Sequence, residues 1–122
     1  AARRRGDADM FAPFFDWGVP TVDCLRAVCH ACPDRLVIAS GGVRHGLDAA
    51  KAIRLGADMV AAAGPMLAHL VADDAALDLS KLQDFVSGWK QQMALTLFLT
   101  GAPDLAAFRQ AEICCDGAVI AR

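Results

Sequence analysis

The segment 38–67, IASGGVRHGLDAAKAIRLGADMVAAAGPML, restricts the fold more than any other part of the 122-residue chain. It reads as a short buried strand, a glycine turn, a helix, a second short strand and the start of a second helix. The first strand, 36–39, is rich in β-formers and bounded by turn residues, as a buried parallel strand should be. An alanine-rich helix over 47–55 follows and stops at Gly56, which can take the left-handed conformation of a helix end. A weaker strand spans 58–62, since alanine favours strands little. Pro65 sits in the first turn of the next helix, where its missing N–H costs nothing. Strands alternating with helices of these lengths give βαβ units and a parallel sheet. Right-handed crossovers put both strand-to-helix turns on one edge, at the strand C-termini.

Those two turns make a cradle for a phosphate. Glycine lets backbone approach an anion, and the N–H groups at a helix start have no intrahelical partner. In the first turn, Ser40-Gly41-Gly42-Val43-Arg44, the N–H groups of Gly42 and Val43 reach phosphate oxygens and Arg44 adds a positive charge. The second turn ends at Ala63-Gly64-Pro65. The competing structural reading is that two glycines only permit a tight turn, with Arg44 in solvent. In (β/α)8 barrels a phosphate site lies after the last two strands. The fold class is therefore α/β: the C-terminal part of a (β/α)8 barrel, about two βα units plus C-terminal helices. A whole barrel needs about 250 residues, so the entire chain, 1–122, is expected to be one incomplete portion of a longer protein.

The remaining segments fit this frame. Residues 1–9 are charged and small. Their Arg3, Arg4 and Arg5 either touch a diphosphate or anionic partner or form a solvated end, the second being commoner. Residues 10–17 carry Met, Phe and Trp densely enough for a short packed helix, which Gly18-Val19-Pro20 breaks. Thr21 is the expected N-cap of the next helix, and apolar residues at 22, 25, 28 and 29 give it a core face. Residues 80–100 keep an apolar period through Leu82, Phe85, Val86, Trp89, Met93, Leu97 and Phe98, an amphipathic helix that Gly101-Ala102-Pro103 ends. Asp104 caps a final short helix, and 113–120 is a terminal strand or tail.

Composition narrows the function. A net charge of −2 with both signs mixed argues against a general nucleic-acid binder. No apolar run reaches the roughly 18 residues of a membrane span, and the start lacks a signal-peptide core; the expected location is the cytoplasm. Five cysteines have no disulfide spacing, and although Cys29 and Cys32 with Cys24 and His30 resemble a metal cluster, small half-buried thiols are the commoner outcome.

Reaction chemistry is sparse. Ser40 lacks the elbow of a hydrolase nucleophile, and His30, His45 and His69 show no metal-ligand pairing. His45 is a surface residue or hydrogen-bonds a ligand. Asp48 falls in the first helical turn, where a carboxylate favours the helix dipole, and Lys51 is exposed or paired with it. Asp73-Asp74 is a charged loop. The chain carries a binding turn and no catalytic residue of its own.

Three blocks, DWGVPT at 16–21, IASGGVRHGLDAAKAIRLGAD at 38–58 and ALTLFLTGAPDLAAF at 94–108, resemble the C-terminal part of type 2 isopentenyl-diphosphate delta-isomerase, an FMN-dependent (β/α)8-barrel enzyme. The middle block is shared by many FMN barrels, including 2-hydroxy-acid oxidases; the flanking blocks single out the isomerase. The resemblance implies that Gly41, Gly42, Val43 and Arg44, then Ala63 and Gly64, form the FMN phosphate site. Ala61 stands where this family has a glycine. It further implies that reduced FMN interconverts isopentenyl and dimethylallyl diphosphate by proton transfer, with NADPH reducing the flavin, Mg²⁺ on the diphosphate, and assembly as a homo-oligomer. Substrate and metal residues would belong to earlier strands, so this portion alone is expected to be inactive. Two rivals stand beside it: a fragment of an FMN-dependent 2-hydroxy-acid oxidase, and a non-catalytic barrel remnant that binds phosphate.

Overall fold

A computed structural model describes residues 10–14, 16–70, 78–115 and 118–121. After a single 3-10 turn at Ala12–Phe14 come α1 (Thr21–Ala31), β1 (Ile38–Ser40), α2 (Gly46–Arg54), β2 (Met59–Ala61), α3 (Gly64–Leu70), α4 (Leu79–Leu99), α5 (Leu105–Phe108), β3 (Ile113–Cys115) and β4 (Ala118–Ala121). β1 and β2 pair in parallel, with Ile38 opposite Met59, Ala39 opposite Val60 and Ser40 opposite Ala61. The βαβα order expected from 38–67 is present, with β1 starting two residues and ending one residue later than expected and β2 one residue shorter at each end.

The core is small and made of small residues. Leu25 of α1, Ala39 of β1, Ala52 of α2 and Ala57 pack together, with Cys29, Val37, Leu55 and Val60 around them. Alanines at 49, 50 and 52 of α2 are all buried. Having only a methyl group, they let the helix lie close to its neighbours on two sides at little entropic cost. Gly56, at φ 113°, ends α2. A Cβ there would stand 2.9 Å from Cys29 Sγ, so the turn from α2 to β2 is pressed against α1 as well as left-handed. Asp58 then locks β2 to the start of β1: its carboxylate accepts from the Val37 N–H at 2.9 Å, and its own N–H donates to the Val37 carbonyl at 2.9 Å.

The long helix α4 begins at Asp78, whose carboxylate accepts from the N–H groups of Ser80 and Lys81, both at 3.1 Å. Hydrogen bonds from the Ser80 hydroxyl and the Lys81 N–H, with the Lys81 charge, hold this carboxyl below its ordinary pKa. α4 packs on α2 and α3. The His69 ring of α3 stacks on Phe85 at 3.8 Å, and Phe85 meets Trp89 edge-on at 5.6 Å. Asp104 caps α5 as expected, accepting from the Ala107 N–H at 2.8 Å.

Several expectations are corrected. Residues 10–14 and 16–17 do not form a packed helix: Met10, Phe14 and Trp17 are 64%, 60% and 80% exposed, because no described element lies over them. On α1 only Leu25 is buried and Cys29 half-buried, while Val22 and Val28 face water. The terminal segment is an antiparallel hairpin, β3 with β4, rather than one strand. Asp73 and Asp74 lie outside the described residues.

Candidate phosphate-binding turns

Strand register builds the site. Because Ser40 lies opposite Ala61 in a parallel pair, the chain leaves both strands side by side, through 41–45 into α2 and through 62–63 into α3. Gly41, Gly42, Val43 and Arg44 occupy the first turn. Ala63 ends the second, and Gly64 opens α3.

The first turn is held from within and from both flanks. Gly41 and Gly42 have φ of 93° and 71°, a region that costs other residues roughly 1–2 kcal/mol. A Cβ on Gly42 would meet nothing within 4 Å, so backbone conformation rather than crowding requires glycine there, and the space beside it is open. Val43 is 7% exposed and anchors the turn in the interior. The Gly42 and Val43 N–H groups carry no hydrogen bond among the described residues. Thr21 is not the N-cap of α1; Pro20 takes that position and makes no side-chain bond. Thr21 lies inside the first helical turn, and its hydroxyl donates to the Gly41 carbonyl at 3.1 Å.

The start of α2 is less open than an unpaired helix terminus would be. His45 is the N-cap, its Nδ1 accepting from the Asp48 N–H at 3.2 Å. The Gly46 N–H donates to Gln92 Oε1 of α4 at 2.6 Å. The Arg44 N–H and Nε both donate to Asp48 Oδ2, at 3.1 and 3.2 Å. Three backbone donors at this helix start are therefore already engaged, whereas the N–H groups of Gly42 and Val43 are not. Asp48 pairs with Arg44 and His45 rather than Lys51. Partial burial pushes its carboxyl up, but the hydrogen bonds from Arg44 and the Arg44 charge hold it below its ordinary pKa. Arg44 keeps a side chain 73% exposed, tethered at the turn with its charge shared.

The second turn offers exposed backbone at Ala63 and Gly64, and a Cβ on Gly64 would meet nothing within 4 Å. A phosphate group fits both turns: open space at two glycines, unspent N–H groups, and one tethered cation. The bond of Thr21 to Gly41 and the role of Gln92 escaped the sequence reading because the partners lie 20 and 46 residues apart. The one signal was Gly46, a glycine at a helix start with no turn to explain it.

Residues 14–115 match the family described as FMN-dependent dehydrogenase. The chain belongs to this family. Among curated relatives it is 46% identical over 113 residues to an isopentenyl-diphosphate delta-isomerase of Xanthobacter autotrophicus, covering 91% of this chain and 30% of that protein. It is 43% identical over 116 residues to the isomerase of Stutzerimonas stutzeri, covering 92% of this chain and 32% of that one. The isomerase of Metallosphaera sedula is 36% identical over 104 residues, covering 85% of this chain and 27% of its own length. The resemblance seen in the three sequence blocks is thus borne out. The chain spans about 30% of the length of these relatives.

Proposed function

We propose that this chain is the C-terminal part of an FMN-dependent isopentenyl-diphosphate delta-isomerase and that its paired turns hold the FMN phosphate. The observation that carries the reading is the register of Ser40 on Ala61, which brings the Gly41–Arg44 and Ala63–Gly64 turns to one sheet edge with the Gly42 and Val43 donors unspent. Gly42, Val43, Ala63 and Gly64 would receive the phosphate through backbone, with Arg44 as the nearby cation. Bound reduced flavin supplies the proton-transfer chemistry. The residues of this chain bind and orient it.

The surrounding fold is a (β/α)8 barrel in this reading. Parallel sheets are covered on both faces, yet Ile38 and Met59, opposite each other on one face, are 53% and 55% exposed. A groove of about 290 Å³, lined by Val19, Leu25, Val28, Val37 and Ile38 among others, flanks β1, and β1 pairs on one side only among the described residues. Further strands of the barrel would cover both surfaces. NADPH as the flavin's reductant, Mg²⁺ on the substrate diphosphate, a homo-oligomeric assembly and a cytoplasmic location complete the proposal. None of them is assigned to a residue of this chain. No helix among the described residues is long and apolar enough to cross a membrane.

The test is anaerobic isomerisation of isopentenyl diphosphate by the full-length gene product, with reduced FMN and Mg²⁺. Turnover that disappears without flavin is expected. A flavin-loaded protein without turnover would overturn the isomerase in favour of a 2-hydroxy-acid oxidase, and failure to take up flavin would overturn both.

A further inference from the structure

We propose that Gln92 of α4 is a positioning residue for the flavin phosphate, fixing the far end of the 41–45 turn through the Gly46 N–H. The inference rests on the phosphate reading above. Gly46 is buried and opens α2, and its N–H has no intrahelical acceptor. Gln92 Oε1 supplies one at 2.6 Å. That approach is possible only because position 46 lacks a side chain: a Cβ would stand 2.2 Å from the Trp89 carbonyl oxygen and 2.8 Å from Gln92 Cβ. Glycine here is explained neither by a positive φ nor by the turn itself. It is explained by the close seat of α4.

The consequence lies in what remains unspent. One end of the turn is tied to α1 by the Thr21 hydroxyl on the Gly41 carbonyl. The other end is tied to α4 by Gln92. Between them Gly42 and Val43 keep their N–H groups uncommitted, so the anion meets donors already in place and does not order the turn on arrival. Without Gln92, the Gly46 N–H has to find another acceptor. The Asp48 carboxylate, which now holds Arg44, and the phosphate itself are two such acceptors. Either choice shifts the turn.

The experiment compares FMN with riboflavin, which lacks the phosphate, on the full-length gene product by flavin-fluorescence titration, with Tm measured alongside. Gln92→Leu removes the acceptor at similar volume and is expected to weaken FMN about tenfold with riboflavin affinity unchanged. Should Gln92→Leu fail to fold, Gln92→Asn, one methylene shorter, gives the same comparison. FMN affinity equal to wild type with only a lower Tm would overturn the proposal, leaving Gln92 a packing residue; equal losses of FMN and riboflavin would also overturn it. A wild-type protein that binds the two flavins equally would instead sink the phosphate reading itself.

Discussion

Replacing Gly46 with alanine is the sharpest test of how α2 and α4 are joined. The new Cβ would lie 2.2 Å from the Trp89 carbonyl oxygen, against the 3.4 Å at which ordinary contact begins. The helix therefore has to retreat by 3.4 − 2.2, or about 1.2 Å. If that retreat runs along the Gly46–Gln92 bond, its 2.6 Å separation becomes about 3.8 Å, longer than a hydrogen bond. Overpacking of this kind costs about 1–3 kcal/mol, and a partly buried N–H left without its acceptor about 1–3 kcal/mol more. Alanine recovers at most about 1 kcal/mol through helix propensity, and less at a first helical position than in a helix interior. The net expectation is a loss of about 3 kcal/mol, a fall in Tm of roughly 6–12 °C for a protein in the 150–250-residue range and somewhat less for a larger one. Thermal unfolding of the full-length protein by circular dichroism measures it. A Tm within about 1 °C of wild type would refute the reasoning, since it would mean that α4 does not seat against Gly46.

Three further outcomes follow from the same geometry. Gly42→Ala meets open space but a φ of 71°, so it should cost only about 1–2 kcal/mol of stability while weakening FMN by a larger factor than riboflavin; equal effects on the two flavins would count against the cradle. Asp48 has a folded pKa below its unfolded one, so the stability it contributes is complete above the unfolded value and is lost as pH falls through the folded value. Tm measured from pH 6 downward should drop below about pH 4, with a shallower drop in Asp48→Asn; identical acid profiles would rule the brace out. Asp104→Ala should remove the α5 cap and about 1 kcal/mol, read as a small fall in Tm with FMN affinity unchanged, and an altered affinity would contradict that separation.

Much of the site was legible along the chain because it is local. Glycines at 41 and 42 announce a left-handed turn, Gly56 a helix end and Asp104 a cap, and each of these acts within a few residues of itself. The alternation of strands and helices implied a parallel pair, and a parallel pair puts successive turns on one edge. Asp48 was read correctly as a helix-start carboxylate but not as the holder of Arg44, since both rotamers depend on how the turn is wound.

What the sequence alone determined is the βαβα order, the glycine turn between the first strand and helix, and membership in an FMN-dependent family. What only the tertiary structure decided is which donors of that turn remain free. Gly46 gives its N–H to Gln92, and Thr21 gives its hydroxyl to Gly41 rather than capping α1. These choices join segments 46 and 20 residues apart. A hydrogen bond of that span is set by how helices seat on the sheet, and no local propensity encodes it.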